Sequence, residues 1–201
     1  MQHLLRYLAG TIDVGIHYRR NHNSDEDKPT LVGYSDADWG SDLESRRSVT
    51  GYLLLVNDSP VGWKSKLQQS VSLSTLESEW AAMVTGIRHG LFLSGILVEL
   101  GFPKAKIPWF CDNRGAIQSA SKVGFRGRTR HVDIALKCTR EYIESGSVEV
   151  SYVPSSGQLA DVFTKRTRKP LMEKFIDSVL FWKGSELGCS TQQNSRGNVQ
   201  L

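Results

Sequence analysis

The spacing of apolar positions changes along the chain, and each change marks an element. Residues 3–11 form a short apolar stripe through Leu4, Leu5, Tyr7 and Leu8, closed by Gly10 as a helix C-terminus would be. The stripe begins abruptly, in mid-helix, which points to a piece of something longer. Residues 21–29 are polar, acidic and turn-rich and read as a loop. Three strand-like runs follow at 31–36, 51–57 and 61–64, with hairpin turn chemistry in Asn57-Asp58-Ser59-Pro60 between the last two. From 72 to 100 the spacing becomes three and four through Leu76, Trp80, Met83, Val84, Ile87, Leu91 and Leu97, the stripe of a long buried helix. Ser74 or Thr75 can cap it, with Glu77 close behind, and Gly101 and Pro103 stop it.

The second half alternates. A strand is expected at 107–111, a helix at 113–121, a basic loop at 122–130, a helix at 131–144 and a strand at 148–153. Helices at 157–165 and 171–182 follow, and beyond Gly184 the chain is polar enough to be read as a disordered tail. An early meander followed by β-α alternation predicts an α/β protein, with a mixed sheet and helices packed on its faces.

Composition adds limits rather than an activity. The 201 residues suit one domain of roughly 150 residues plus short extensions. A net charge of +4 permits a polyanionic partner without proving one. Cys111, Cys138 and Cys189 are widely spaced, odd in number and form no zinc pattern, so they read as reduced thiols of an intracellular protein. No signal peptide is evident, and no apolar run stands out as long enough to span a membrane.

Four acids occupy suggestive places. Asp36 ends the first strand, Asp112 follows the fourth, Glu79 lies early in the long helix and Asp161 lies near the start of a late helix. Strand ends gather sites in open α/β sheets. Were all four to converge they would repel one another unless cations neutralised them, and carboxylate oxygens suit magnesium or manganese. Taken singly each has an ordinary explanation, as turn former or helix-dipole partner, and periodicity alone does not bring the four together.

Particular words in the sequence go further. Tyr34-Ser35-Asp36-Ala37-Asp38-Trp39 is followed by Arg46-Arg47-Ser48-Val49-Thr50-Gly51-Tyr52 and Trp63-Lys64-Ser65-Lys66-Leu67-Gln68-Gln69. Leu73-Ser74-Thr75-Leu76-Glu77-Ser78-Glu79-Trp80 and Cys111-Asp112-Asn113 come next. Arg128-Thr129-Arg130-His131-Val132-Asp133-Ile134 and Gln158-Leu159-Ala160-Asp161-Val162-Phe163-Thr164-Lys165 complete the series. In this order they resemble the ribonuclease H domain of copia-type retrotransposon polyproteins. The resemblance implies a ribonuclease H-like fold, a five-stranded mixed sheet flanked by helices. It divides the chain into a remnant of the reverse transcriptase connection and linker at 1–29 and the domain itself at 30–168. A C-terminal helix at 169–183 and the tail at 184–201 follow.

The same resemblance implies a catalytic and metal-binding set of Asp36, Glu79, Asp112 and Asp161 around two Mg2+ ions, for which Mn2+ may substitute. It favours Asp36 over Asp38. It favours Glu79 over Glu77, because Trp80, Ala81 and Ala82 follow Glu79. The implied activity is hydrolysis of the RNA strand of an RNA/DNA hybrid, with a reverse transcriptase domain upstream and no membrane involved. The implied place is the cytoplasm, within virus-like particles, or the nucleus. Leu76, Ala135 and Lys137 depart from the family's usual wording, though none is a proposed ligand.

Lys122, Arg126, Arg128 and Arg130 form a positive run that is either a solvated loop or a phosphate-tracking surface, with Lys64 and Lys66 as additions. His131 either assists catalysis in an auxiliary role or caps its helix; the loop at 154–158, where many ribonucleases H carry a histidine, has none. Two other readings compete with a hybrid ribonuclease. One is an impaired or domesticated nucleic-acid-binding module. The other is an integrase, which would need a zinc-binding His/Cys region that is not seen here.

Overall fold

The computed structural model describes residues 2–16, 18, 28–121, 130–166 and 169–182. Helix α1 (Gln2–Gly10) and a two-residue strand β1 (Val14–Gly15) come first. β2 (Leu31–Asp38), β3 (Val49–Val56) and β4 (Ser59–Leu67) then form an antiparallel meander. Val56 and Ser59 are joined by Asn57 and Asp58 alone, both at positive φ (49° and 60°), the two-residue turn whose twist matches that of paired strands. The expected hairpin is therefore tighter, and its second strand longer, than the apolar run 61–64 suggested.

Helix α2 (Thr75–Glu99) crosses to β5 (Ile107–Cys111), and α3 (Arg114–Ser121) and α4 (Arg130–Glu144) lead to β6 (Val148–Tyr152). β5 lies parallel to β2, and β6 parallel to β5, so the sheet order is β4-β3-β2-β5-β6. This is the five-stranded mixed sheet expected. Ser74 is the α2 cap: its hydroxyl accepts the Glu77 N–H at 3.3 Å, while the Glu77 carboxylate accepts the Leu73 N–H at 2.7 Å. Glu77 is thereby occupied with starting the helix.

Trp80, Met83 and Ile87 of α2 bury against Trp109 of β5 and Leu136 of α4. The approach is close enough to require glycine. A Cβ on Gly33 of β2 would fall 2.1 Å from the Trp109 ring, and one on Gly86 of α2 would fall 2.6 Å from it. α2 also corrects one expectation, for its 25 residues are long and apolar enough to cross a membrane, with a stretch of 18 at mean hydropathy 1.5. The sheet, α3 and α4 bury its first half, whereas Phe92, Ile96 and Val98 in its second half are exposed.

A second core forms on the opposite face, where Leu53 and Leu55 of β3 meet Phe175 and Val179 of α5 (Lys169–Val179). Two expected helices differ here. Residues 157–165 are not an α-helix: two 3-10 turns, Ser155–Gly157 and Leu159–Phe163, occupy the region up to Phe163, interrupted where the Gln158 side chain caps the second by accepting the Ala160 N–H at 3.1 Å. The final helix stops at Val179 rather than running to the 180s, and β7 (Phe181–Trp182) pairs antiparallel with β1. Aromatic residues favour that extended pairing. The tail at 184–201 lies outside the described residues.

Candidate active site: a cluster of four carboxylates

Asp36 sits near the end of β2, directly across the ladder from Gly51. The missing side chain at Gly51 leaves room for Thr164, because a Cβ there would lie 2.5 Å from Thr164 Cγ2. Thr164 uses that room: its hydroxyl donates to the Asp36 carboxylate. Ser35, the residue before Asp36, is held from two sides. Its hydroxyl accepts from Trp109 Nε1 at 2.9 Å, and its carbonyl accepts from the buried Gln158 side-chain amide at 2.9 Å. Since Gln158 also caps the turn carrying Asp161, one amide ties that turn to the strand carrying Asp36.

Asp112 follows β5 and accepts a hydrogen bond from the Ser155 hydroxyl at 2.9 Å. Asn113 beside it starts α3 by accepting the Ala116 N–H at 3.0 Å. Glu79, in the first turns of α2, reaches the Cys111 thiol at 4.0 Å. These elements converge at one end of the sheet. Asp36, Asp112 and Asp161 offer oxygens that all lie within 4.8 Å of one another, and Glu79, Cys111 and Asp112 form a second such group. Asp112 belongs to both, so the four acids singled out in the sequence meet. Among the described residues, neither group contains Asp38 or Glu77.

Crowding and burial reshape the acidities. Glu79 is pushed up to about 9, first by burial and then by the charges of Asp36 and Asp112. Burial also raises Asp36 and Asp161, against the opposing pull of Thr164 and Lys165 on the first and of Lys165 on the second. Burial followed by the Glu79 charge drives the Cys111 thiol far up, so no thiolate forms. Lys165 supplies the local cation, its Nζ 2.7 Å from Asp161 Oδ1 and 3.5 Å from Asp36 Oδ2. Burial opposes its charge, but the Asp161 hydrogen bond and the Asp36 carboxylate outweigh that and raise it overall. The cluster thus carries an ammonium where its charge demands one, and the oxygens of its four carboxylates fit a hard divalent cation, with the protonated Cys111 thiol beside them.

Asp36, Glu79 and Asp112 line an open pocket of about 480 Å³ that also includes Lys165, Arg114 and Tyr152. The Arg114 guanidinium lies 4.3 Å from the centre of the Tyr152 ring, a stacking that steadies a cation at the rim. Of the other expected residues, Lys64 and Lys66 lie on β4. Arg130 and His131 open α4, but their side chains, like all of Lys122, Arg126 and Arg128, lie outside the described residues. Gln158, Thr164 and Lys165 share the sequence word that contains Asp161, but nothing in the sequence alone gives them a role. The i, i+3, i+4 spacing of Asp161, Thr164 and Lys165, one face of a helical turn, was the available signal.

No family model matches the chain. It is 31% identical over 180 residues to the retrovirus-related Pol polyprotein from transposon RE1 of Arabidopsis thaliana, covering 89% of this chain and 12% of the polyprotein. The corresponding polyprotein from transposon TNT 1-94 of Nicotiana tabacum is 34% identical over 162 residues, 81% of this chain and again 12% of the relative. The chain therefore spans only about an eighth of the length of these relatives. Among solved structures, LC11-RNase H1, isolated from compost, superposes with a TM-score of 0.52 over 74% of this chain and 96% of its own, at 11% identity. The same enzyme in complex with an RNA/DNA hybrid gives 0.50, over 67% of this chain and 94% of its own, at 10% identity. The chain is thus similar to one segment of the retrovirus-related Pol polyproteins and has a ribonuclease H-like fold.

Proposed function

We propose that this chain is a divalent-metal-dependent endonuclease that hydrolyses the RNA strand of RNA/DNA hybrids during reverse transcription of a retrotransposon. The observation that carries the reading is the meeting of Asp36, Glu79, Asp112 and Asp161 at one sheet end, around the Lys165 ammonium. Homology to Pol polyproteins and the likeness to a hybrid-bound ribonuclease H add support. In this reading a reverse transcriptase domain lies upstream in the same polyprotein, and the work is done in virus-like particles in the cytoplasm or in the nucleus.

Asp36, Asp112 and Asp161 would hold one Mg2+ ion, and Asp112 and Glu79 a second, with Mn2+ able to replace either. When bound, such a pair lowers the pKa of water and stabilises the departing 3′ oxygen of an in-line displacement. The protein's own part is positioning and charge. Thr164 and Ser155 each spend a hydroxyl on one ligand carboxylate, Asp36 and Asp112 respectively, and so fix its direction. Lys165 lowers the repulsion among the acids. Arg114, held on Tyr152, offers a guanidinium to a phosphate entering the pocket. Choice of the RNA strand would rest on its 2′ hydroxyls, which DNA lacks, and contacts limited to the backbone would read no base sequence.

Labelled RNA/DNA hybrid and all-DNA duplex of the same sequence, incubated with the protein and Mg2+, test this. Cleavage confined to the RNA strand of the hybrid, leaving 5′ phosphate and 3′ hydroxyl ends and abolished by chelation, is expected. Equal cutting of the DNA duplex, or cutting that survives chelation, would overturn it.

A further inference from the structure

A second cleft, of about 390 Å³, opens between the β4 edge of the sheet and the outer side of α2. Lys64 and Lys66 line it from β4, on one face by the two-residue period of a strand, and Arg88 lines it from α2. Among the described residues none of these three cations is held in an ion pair or hydrogen bond. The acid on the same wall, Glu77, is committed to the Leu73 N–H. The floor between them is rigid. Gln68 donates to Thr50 Oγ1 at 3.0 Å and to the Ser78 carbonyl at 3.1 Å, and accepts from Ser72 Oγ at 2.9 Å.

The cleft is not remote from the carboxylates. Lys66 pairs with Thr50, and Thr50 pairs with Ala37, the neighbour of Asp36. Lys66 is therefore two strand spacings, roughly 10 Å, from the strand that carries the acid. A duplex with one backbone seated over Asp36 extends further than that, since a single groove is about 12 Å wide. Three unpaired cations, two on the β4 wall and one on the α2 wall above a polar floor, match the negative charge of a phosphodiester backbone lying in the cleft.

The geometry points to this cleft as a second nucleic-acid contact, in which Arg88, Lys66 and Lys64 grip backbone phosphates of the duplex whose RNA is cut at the carboxylates. The assignment rests on the reading of the chain as a hybrid ribonuclease and adds Arg88, outside every motif, to its binding surface. The contact is to phosphate, so it is indifferent to base sequence and to the sugar.

Binding of the full chain carrying Asp112→Asn, to a labelled hybrid and to an all-DNA duplex, is measured between ~50 and ~200 mM salt. Arg88→Gln and Lys66→Gln are each expected to weaken both complexes roughly eightfold near ~0.1 M salt, and to reduce the salt slope by about one. Lys106→Gln is the control: this lysine pairs with Glu149 at 3.3 Å at the far end of β5 and should leave affinity and slope unchanged. Native affinity and slope in the Arg88→Gln, Lys66→Gln double variant would overturn the proposal. The outcome is separable from the cleavage reading. A protein that cuts nothing can still lose duplex binding with Arg88, and an active one can bind its hybrid without the cleft.

Discussion

Glu79→Gln should stabilise the metal-free protein, and by an amount that grows with pH. Glu79 is 6% exposed, and its carboxyl is raised from an ordinary 4.5 to about 9 by burial and by Asp36 and Asp112. Below pH 4.5 folded and unfolded chains both carry the proton and the group is neutral in the balance. Above it the unfolded chain loses the proton while the folded chain keeps it, so native stability falls with rising pH until about 9. At pH 7, about 2.5 pH units above 4.5, the loss is on the order of 3 kcal/mol, at ~1.4 kcal/mol per unit. Glutamine has the same shape and no proton to lose, so it escapes that cost. Urea unfolding in chelator at several pH values between 5 and 8.5 reads the difference directly. The variant should match the native protein near pH 5 and exceed it increasingly above. Saturating Mg2+ should then reverse the order, because the cation favours the ionised glutamate and glutamine is a poor ligand for it. A stability gap that does not change with pH, or a variant less stable than native at pH 7 in chelator, would show that folding does not hold a proton on Glu79.

Two further substitutions probe the same cluster from other sides. Lys165→Met removes the ammonium beside Asp161 and Asp36. It should cost between the ~1 kcal/mol of an exposed pair and the ~3 kcal/mol of a buried one. Mg2+ should then raise the melting temperature more than it does in the native protein, and an equal or smaller rise contradicts the role assigned to Lys165. Gly51→Ala places a methyl 2.5 Å from Thr164 Cγ2 and 3.1 Å from the Ala160 carbonyl. The expected destabilisation is about 1–3 kcal/mol, with weaker Mg2+ binding in calorimetry as the Asp161 turn moves away from Asp36. Unchanged Mg2+ affinity would show that the turn does not set the spacing of the acids.

Much of this arrangement was legible in the residues. The three-and-four stripe of α2 and the β2–β4 meander follow from periodicity, and the Asn57-Asp58 turn from local backbone preference. The convergence of Asp36, Glu79, Asp112 and Asp161 did not follow from periodicity at all; ordered family words carried it. What stayed hidden depends on contacts distant in sequence. Gln158 reaches Ser35 across the fold, and its side chain breaks the expected helix at 157–165 into 3-10 turns. Lys165 reads as an ordinary basic residue until the sheet places it between two aspartates. Trp182 looks like the end of a helix until Val14 offers it a strand partner. Arg88 lies in no motif, and only the packing of α2 against β4 gives it a neighbourhood of cations.

Under the proposed function, the four carboxylates make one metal-dependent cutting site. Its most direct test is the rate of RNA-strand cleavage in a labelled RNA/DNA hybrid, with native protein and Asp112→Asn assayed side by side in Mg2+. Asp112 belongs to both ligand groups, so cleavage is expected from the native chain and essentially none from the variant. Equal rates for the two, or no cleavage by the native chain above the Asp112→Asn background, would contradict it.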